Sequence, residues 1–280
     1  MIPISLGMTL LQWSGAAHRV TAVLGPAFPL VGLPHEASLA FLGGAFVNCY
    51  TGIAAMGSLA LTSRQVTILS LMILIAHNLV LEVSVQRRAG STGWRILLLR
   101  LVSCVLSGVF LNLVLPADGA VLRAAAPPPE AGASEALSLW LRNSGVLTAK
   151  VVVLVTALMI VQRLLRQFGG LEWLARVSAP LLAVLGLPRR AAFLWIVANV
   201  LGLAYGAGVI VEEIRAGALD ARDAELLNLS IAVCHSLFED TLLFVAVGAA
   251  AFWITVPRLV LAALVVWSHR GWRRLTETRA

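Results

Sequence analysis

Charge is what this 280-residue chain has least of. Asp, Glu, Lys and Arg together make up 12%, where soluble domains carry about 25%. So few charges cannot cover a water-facing surface, which excludes a soluble enzyme and a disordered regulator. Only three cysteines occur, Cys49, Cys104 and Cys234, each inside an apolar run; an odd number so spaced is neither a disulfide framework nor a zinc ribbon. The N-terminus has no basic stretch ahead of its apolar residues, so it reads as a first membrane segment rather than a cleaved signal. Walker loop, nucleophile elbow, His-Glu-x-x-His and CxxC motifs are all missing. Neither enzymatic activity nor a resident cofactor is expected.

What the chain does have is hydrophobic length. Apolar residues reach 59% and the mean hydropathy is +0.90. A crossing helix needs about 20 apolar residues, and nine segments qualify, near 8–31, 37–58, 65–86, 95–115, 145–166, 171–188, 191–211, 225–247 and 253–269. The first and sixth are interrupted by Pro26, Pro29 and Pro180. The fold expected is an all-α, polytopic transmembrane bundle. The net charge of +7 sits in short basic clusters, Arg87-Arg88, Arg163 to Arg166 and Arg270 to Arg279. These read as anchors at an anionic leaflet, not as a nucleic-acid surface. Placing them inside a bacterial-type plasma membrane puts the C-terminus in the cytoplasm. One loop, Arg189-Arg190, then falls on the wrong side.

The chain also repeats itself. PAFPLVGLP (Pro26 to Pro34) matches PLLAVLGLP (Pro180 to Pro188), and Asn48 and Asn199 follow at similar distances. His77 and Glu82 in one half answer to His235, Glu239 and Asp240 in the other. Each half closes on Arg-Leu-Val, at Arg100 and Arg258. This gives a first repeat over 1–116, a Pro-rich extracytoplasmic linker over 117–144, a second repeat over 145–270 and a basic tail over 271–280. The extra crossing at 145–166 inverts the second copy, and inverted repeats with interrupted helices are the architecture of secondary transporters.

The polar residues inside the apolar runs are the candidate site. In Glu225 to Phe244, 100° per residue sets Asn228, His235 and Glu239 within about 40° of one another, a stripe roughly 16 Å long. Ser236 and Asp240 form an adjoining line. A charge near the bilayer centre costs about 2.5–3.5 kcal/mol, so these carboxylates must be paired, neutralised or turned to a water-filled cavity. Two readings stand: a substrate, cation or proton site, or interhelical hydrogen bonding. His77, Asn78 and Glu82 repeat the pattern, with Arg87 or Arg88 as alternative partners for Glu82. Gly202, Gly206 and Gly208 allow close packing or an unwound gate helix, and Tyr205 among them is a hydrogen-bonding candidate. Cys49 beside Asn48, and Cys234 beside His235, are candidate ligands for a borderline metal, against the alternative that they only pack.

GLAYGAGVIVEE followed by NLSIAVCHSLFEDTLLF resembles the Gate-domain, or nucleoside-recognition, family of membrane proteins, most clearly over about 190–250. That family groups membrane segments of nucleoside transporters, ferrous iron transporters and spore maturation proteins. The resemblance implies a permease for a nucleoside-like solute or cation, with Asn199, Tyr205, His235, Glu239 and Asp240 at its site. A non-transporting assembly or signalling factor and a divalent metal transporter are the alternatives. Expected partners are the lipid bilayer and a small solute or cation, with room for a homodimer or a partner membrane subunit.

Overall fold

Capping and turn residues set where the helices of this chain stop. A computed structural model describes residues 25–117 and 133–277, together with Pro3, Leu6, Gly7, Leu10, Ser14, Thr21 and Ala22. It is all-helical, with no β-strand among the described residues. The helices are α1 (Ala37–Phe46), α2 (Cys49–Met56), α3 (Ser63–Ala76), α4 (Leu79–Arg88), α5 (Gly93–Val114), α6 (Ala133–Gln167), α7 (Gly170–Val177), α8 (Ala179–Val184), α9 (Ala192–Val200), α10 (Gly202–Arg215), α11 (Ala221–Val233), α12 (Glu239–Ala246) and α13 (Ala251–Glu277). Ser63–Arg88, Gly93–Val114, Leu137–Gln167 and Ala251–Thr276 are each long and apolar enough to cross a membrane. Most of the expected segment 8–31 lies outside the described residues, as do residues 118–132 of the expected linker. The rest of that linker, from Ala133, is already helix.

Local geometry matches between the two sequence copies. Gly32 and Gly186, each two residues before the closing proline, have φ of 73° and 78°. Both turns close the same way: Leu33 N–H donates to the Phe28 carbonyl, and Leu187 N–H to the Leu182 carbonyl. Ten residues beyond the prolines lie Gly44 and Ala198, whose carbonyls accept from Asn78 N–H (3.3 Å) and Ser236 N–H (3.1 Å). Asn78 and Ser236 share a left-handed φ of 49°. Arg100 and Arg258 each stand seven residues into their helices, α5 and α13. One register changes. Counted from the prolines, Asn48 corresponds to Gly202, both fourteen residues on, and not to Asn199.

Two expected single crossings are helical hairpins instead. Asn48 is extended, with its side chain accepting from Thr51 N–H, and so it ends α1 and starts α2. Gly52 on α2 then approaches α1 so closely that a Cβ there would stand 3.2 Å from the Gly44 Cα. In the second copy the turn falls at Leu201-Gly202. There Arg190, just before α9, bonds Asp220 (2.6 Å) and Asp223, which flank the start of α11. A helix crossing about 30 Å of hydrocarbon could not bring these residues together, so α9 and α10 leave from the side they enter. Arg189-Arg190 therefore share a side with Asp220-Asp223, which removes the loop that violated the charge rule.

The contact pattern divides the chain into two compact units that interleave the repeats. Unit 1 is Met1–Asn78, Cys104–Thr156 and Asp240–Ile254; unit 2 is Leu79–Ser103, Ala157–Glu239 and Thr255–Ala280. Each takes the hairpin and pre-break helix of one copy and the post-break helix of the other. In unit 1, α3 carries no exposed face: Ile68, Leu69, Leu71, Ile73, Leu74 and Ile75 are fully buried. A helix apolar all round belongs at the centre of its bundle. In unit 2 the same place is taken by α9 and α11, joined by Trp195 Nε1–H donating to Ser230 Oγ (3.3 Å).

Candidate functional site

A broken helix leaves its last carbonyls without intrahelical donors, and both breaks meet this with histidine. α3 stops at Ala76, and the ring Nδ1 of His77 lies 3.1 Å from the Leu74 carbonyl. α11 stops at Val233, and Nδ1 of His235 lies 2.7 Å from the Ile231 carbonyl. A carbonyl only accepts, so each Nδ1 carries hydrogen. The second ring nitrogens then face carboxylates. His77 Nε2 lies 3.2 Å from Asp240 Oδ2 in unit 1, and His235 Nε2 lies 3.0 Å from Glu82 Oε2 in unit 2. The pairing is reciprocal. Each histidine takes its acid from the other copy, although each copy holds its own acid five residues on.

Acceptors on both sides of each ring constrain what can lie between them. With Nδ1–H spent on a carbonyl, a second hydrogen or another cation must lie between Nε2 and the carboxylate; otherwise a lone pair opposes an anion. The histidines are 2% and 1% exposed, and Glu82 is 1% exposed. Arg100, fully buried, reaches Glu82 Oε2 at 2.7 Å. Arg258, also fully buried, donates to the His235 carbonyl at 3.1 Å. These arginines are the site residues that reading the sequence for function missed. An arginine deep in the apolar run of α5 was the available signal, because such a charge needs a partner.

The other predicted residues separate into several roles. The expected stripe of Asn228, His235 and Glu239 on one helix face does not form. α11 and α12 are separate helices, because Ser236 turns left-handed and gives its N–H to Ala198 rather than to its own helix. The line from Asn78 to Glu82 is broken in the same way. Glu82 does not use Arg87 or Arg88, which are exposed. Glu239 accepts from Gln162 Nε2 at 3.1 Å, and Gln162 also donates to the Val200 carbonyl beside the hairpin turn. Asn228 ties α11 to the end of α4: its Nδ2 donates to Ala89 O, and its own carbonyl accepts from Gln86 Nε2. Asn48 is a cap. Asn199 is fully buried on α9, with Nδ2 donating to Trp195 O and Oδ1 left without a partner. The side chain of Tyr205 lies outside the described ones.

The three glycines also part company. Gly202 has φ of 77° at the hairpin turn. Gly206 faces α9, where a Cβ would stand 2.9 Å from Val197 Cγ1; nothing lies within 4 Å of one on Gly208. Among the metal candidates, Cys49 joins His77 and Asp240 in unit 1, their ligand atoms all within 4.8 Å of one another. Cys234 is buried at the end of α11 and belongs to no such group among the described residues.

Away from the breaks, unit 2 gathers charge at one end. Glu225 is approached by Arg95 (3.3 Å), His269 (3.6 Å) and Arg273 (3.9 Å). Beside it Arg222, Arg270, Arg273 and Arg274 line a cavity of about 310 Å³.

No protein-family model matches the chain, and no solved structure matches it. Over 270 residues the chain is 28% identical to a protein of Bacillus subtilis (strain 168) named "Uncharacterized membrane protein YvoD", covering 95% of this chain and 86% of that one. With four helical stretches among the described residues long and apolar enough to cross a bilayer, the chain is an integral membrane protein.

Proposed function

We propose that this protein is a secondary transporter of the Gate or nucleoside-recognition kind. It would carry a small solute or cation with exchange of a proton or cation at its helix breaks. One observation carries the reading. Two broken helices end in histidines that each share hydrogen, or a cation, with a buried acid from the opposite repeat. Interrupted helices with ionisable groups inside the membrane mark transport pathways in general. One crossing helix, α6, separates the copies, so the second would enter the bilayer from the opposite face. Asn199 Oδ1, buried and unpartnered beside the hairpin turn, supplies an acceptor for a ligand that donates hydrogen. In this scheme the His235–Glu82 pair, with Arg100 holding the carboxylate, carries the coupling proton.

A non-transporting membrane factor for assembly or signalling is the second reading. Asn48 and Asn228 favour it, since both spend hydrogen bonds on holding helices. Liposomes reconstituted with the full chain and loaded with a pH dye separate the two. Under a proton gradient, the transporter reading expects a nucleoside or divalent cation to accumulate with movement of protons, and His235→Ala to abolish both. If no member of either class accumulates beyond protein-free liposomes, the transporter reading fails.

A further inference from the structure

The histidine–acid pair of unit 1 has a neighbour of its own chemistry. Fifteen residues past the proline of the first copy stands Cys49, where the same count in the second copy reaches Leu203. Cys49 opens α2, His77 closes α3 and Asp240 stands at the start of α12. Three helix ends thus bring together a sulfur, an imidazole nitrogen and a carboxylate oxygen. All three ligand atoms lie within 4.8 Å of one another, and the residues are 3%, 2% and 9% exposed.

We propose that Cys49 Sγ, His77 Nε2 and a carboxylate oxygen of Asp240 bind a borderline divalent transition-metal ion of the zinc, cobalt or ferrous class. A mixed sulfur, nitrogen and oxygen set selects such ions over magnesium or calcium, which take oxygen alone. Metal–ligand distances of about 2.0–2.3 Å put tetrahedral ligand atoms about 3.3–3.5 Å apart, and His77 Nε2 and Asp240 Oδ2 already stand at 3.2 Å. The orientation of His77 is already that of a metal ligand. Its Nδ1–H is held on the Leu74 carbonyl, which turns Nε2 and its lone pair toward the other two groups, the usual outer-shell arrangement. Three protein ligands leave a fourth position for water or another ligand, the open pattern rather than the closed one of structural sites. In unit 2 the corresponding pair has the fixed cation Arg100 on its carboxylate.

This inference builds on the transporter reading by naming a substrate class, yet binding is measured without transport. The full chain, purified in detergent and stripped with chelator, is titrated with cobalt as an optical probe and then with zinc in competition. The expected result is one ion per chain with a thiolate-to-cobalt charge-transfer band in the near ultraviolet. Cys49→Ser removes the band, while Cys104→Ser and Cys234→Ser keep it. His77→Ala and Asp240→Asn weaken zinc binding by at least the 10–100-fold, roughly, that loss of an outer-shell partner costs. A wild-type chain with no band, or a band that survives in Cys49→Ser, overturns the site. Metal uptake by liposomes is scored separately: binding without uptake leaves the site intact and removes metal as the transported species.

Discussion

Glu82 Oε2 is shared by His235 Nε2 at 3.0 Å and the Arg100 guanidinium at 2.7 Å. The acid and the arginine come from the first sequence copy, and the histidine from the second. Glu82→Ala strands a buried guanidinium, and losing one partner of a buried pair costs about 3–5 kcal/mol. The variant is expected to unfold at markedly lower temperature in detergent. The Glu82→Ala/Arg100→Ala double variant should lose less than the sum of the two single changes, because the pair is coupled. Additive losses would contradict the pairing.

The glycines of α10 give a graded series. Gly202→Ala forces a left-handed conformation costing about 1–2 kcal/mol on a residue with a Cβ. Gly206→Ala drives a methyl into Val197. Gly208→Ala meets nothing and gains up to about 1 kcal/mol of helix propensity. Thermal unfolding of the three variants should rank them with Gly208→Ala at or above wild type and the others below it. Equal losses at all three positions would mean that the hairpin packs differently.

With α9 and α10 a hairpin, Arg87-Arg88, Arg163 to Arg176, Arg189-Arg190 and the C-terminal arginines can all face the cytoplasm. Green fluorescent protein fused after residue 190 or at the C-terminus is expected to fluoresce, while alkaline phosphatase there stays inactive. Phosphatase fused after residue 117 should be active. An active phosphatase at 190 would restore α9–α10 as a crossing.

Asp220 makes a pH-dependent cap. Its carboxyl is held below the ordinary 3.8, first by the Asp223 backbone N–H it accepts and then by Arg190. A lowered folded value means that its contribution is complete above about 3.8 and disappears as pH falls through the lower folded value. Hydrogen exchange, corrected for intrinsic rate, should show the start of α11 losing protection below about pH 4. Asp220→Asn should flatten that dependence, and an unchanged acid loss in the variant would assign it elsewhere.

Much of this architecture was legible before any coordinates. The Gly-Leu-Pro turns, the paired histidines with acids five residues on and the matching arginines can be read directly, because a repeat shows itself as recurrence. The helix breaks were harder to find. Glu225 to Phe244 reads as one amphipathic run, and a left-handed serine inside it carries no propensity signal of its own; what turns Ser236 is the Ala198 carbonyl on another helix. The hairpins were missed for a related reason. Twenty-odd residues of apolar sequence look alike whether they cross or return; the approach of Gly52 to Gly44 in one copy and the reach of Arg190 to Asp220 and Asp223 in the other distinguish the two. Site partners across copies lie beyond helical periodicity altogether, since it relates only residues of one helix.

The exchange of acids between the copies constrains how such a chain can descend. A lone ancestral copy would have held a histidine facing no acid and an acid facing no histidine. Two such copies meeting about a two-fold axis would have completed both pairs at once, so a fusion of the two would preserve an association on which both pairs depend. After fusion, inheritance couples position 77 to 240 and position 235 to 82 more tightly than it couples either histidine to its neighbours. Among descendants, substitutions at these places are expected to arrive as cross-copy pairs.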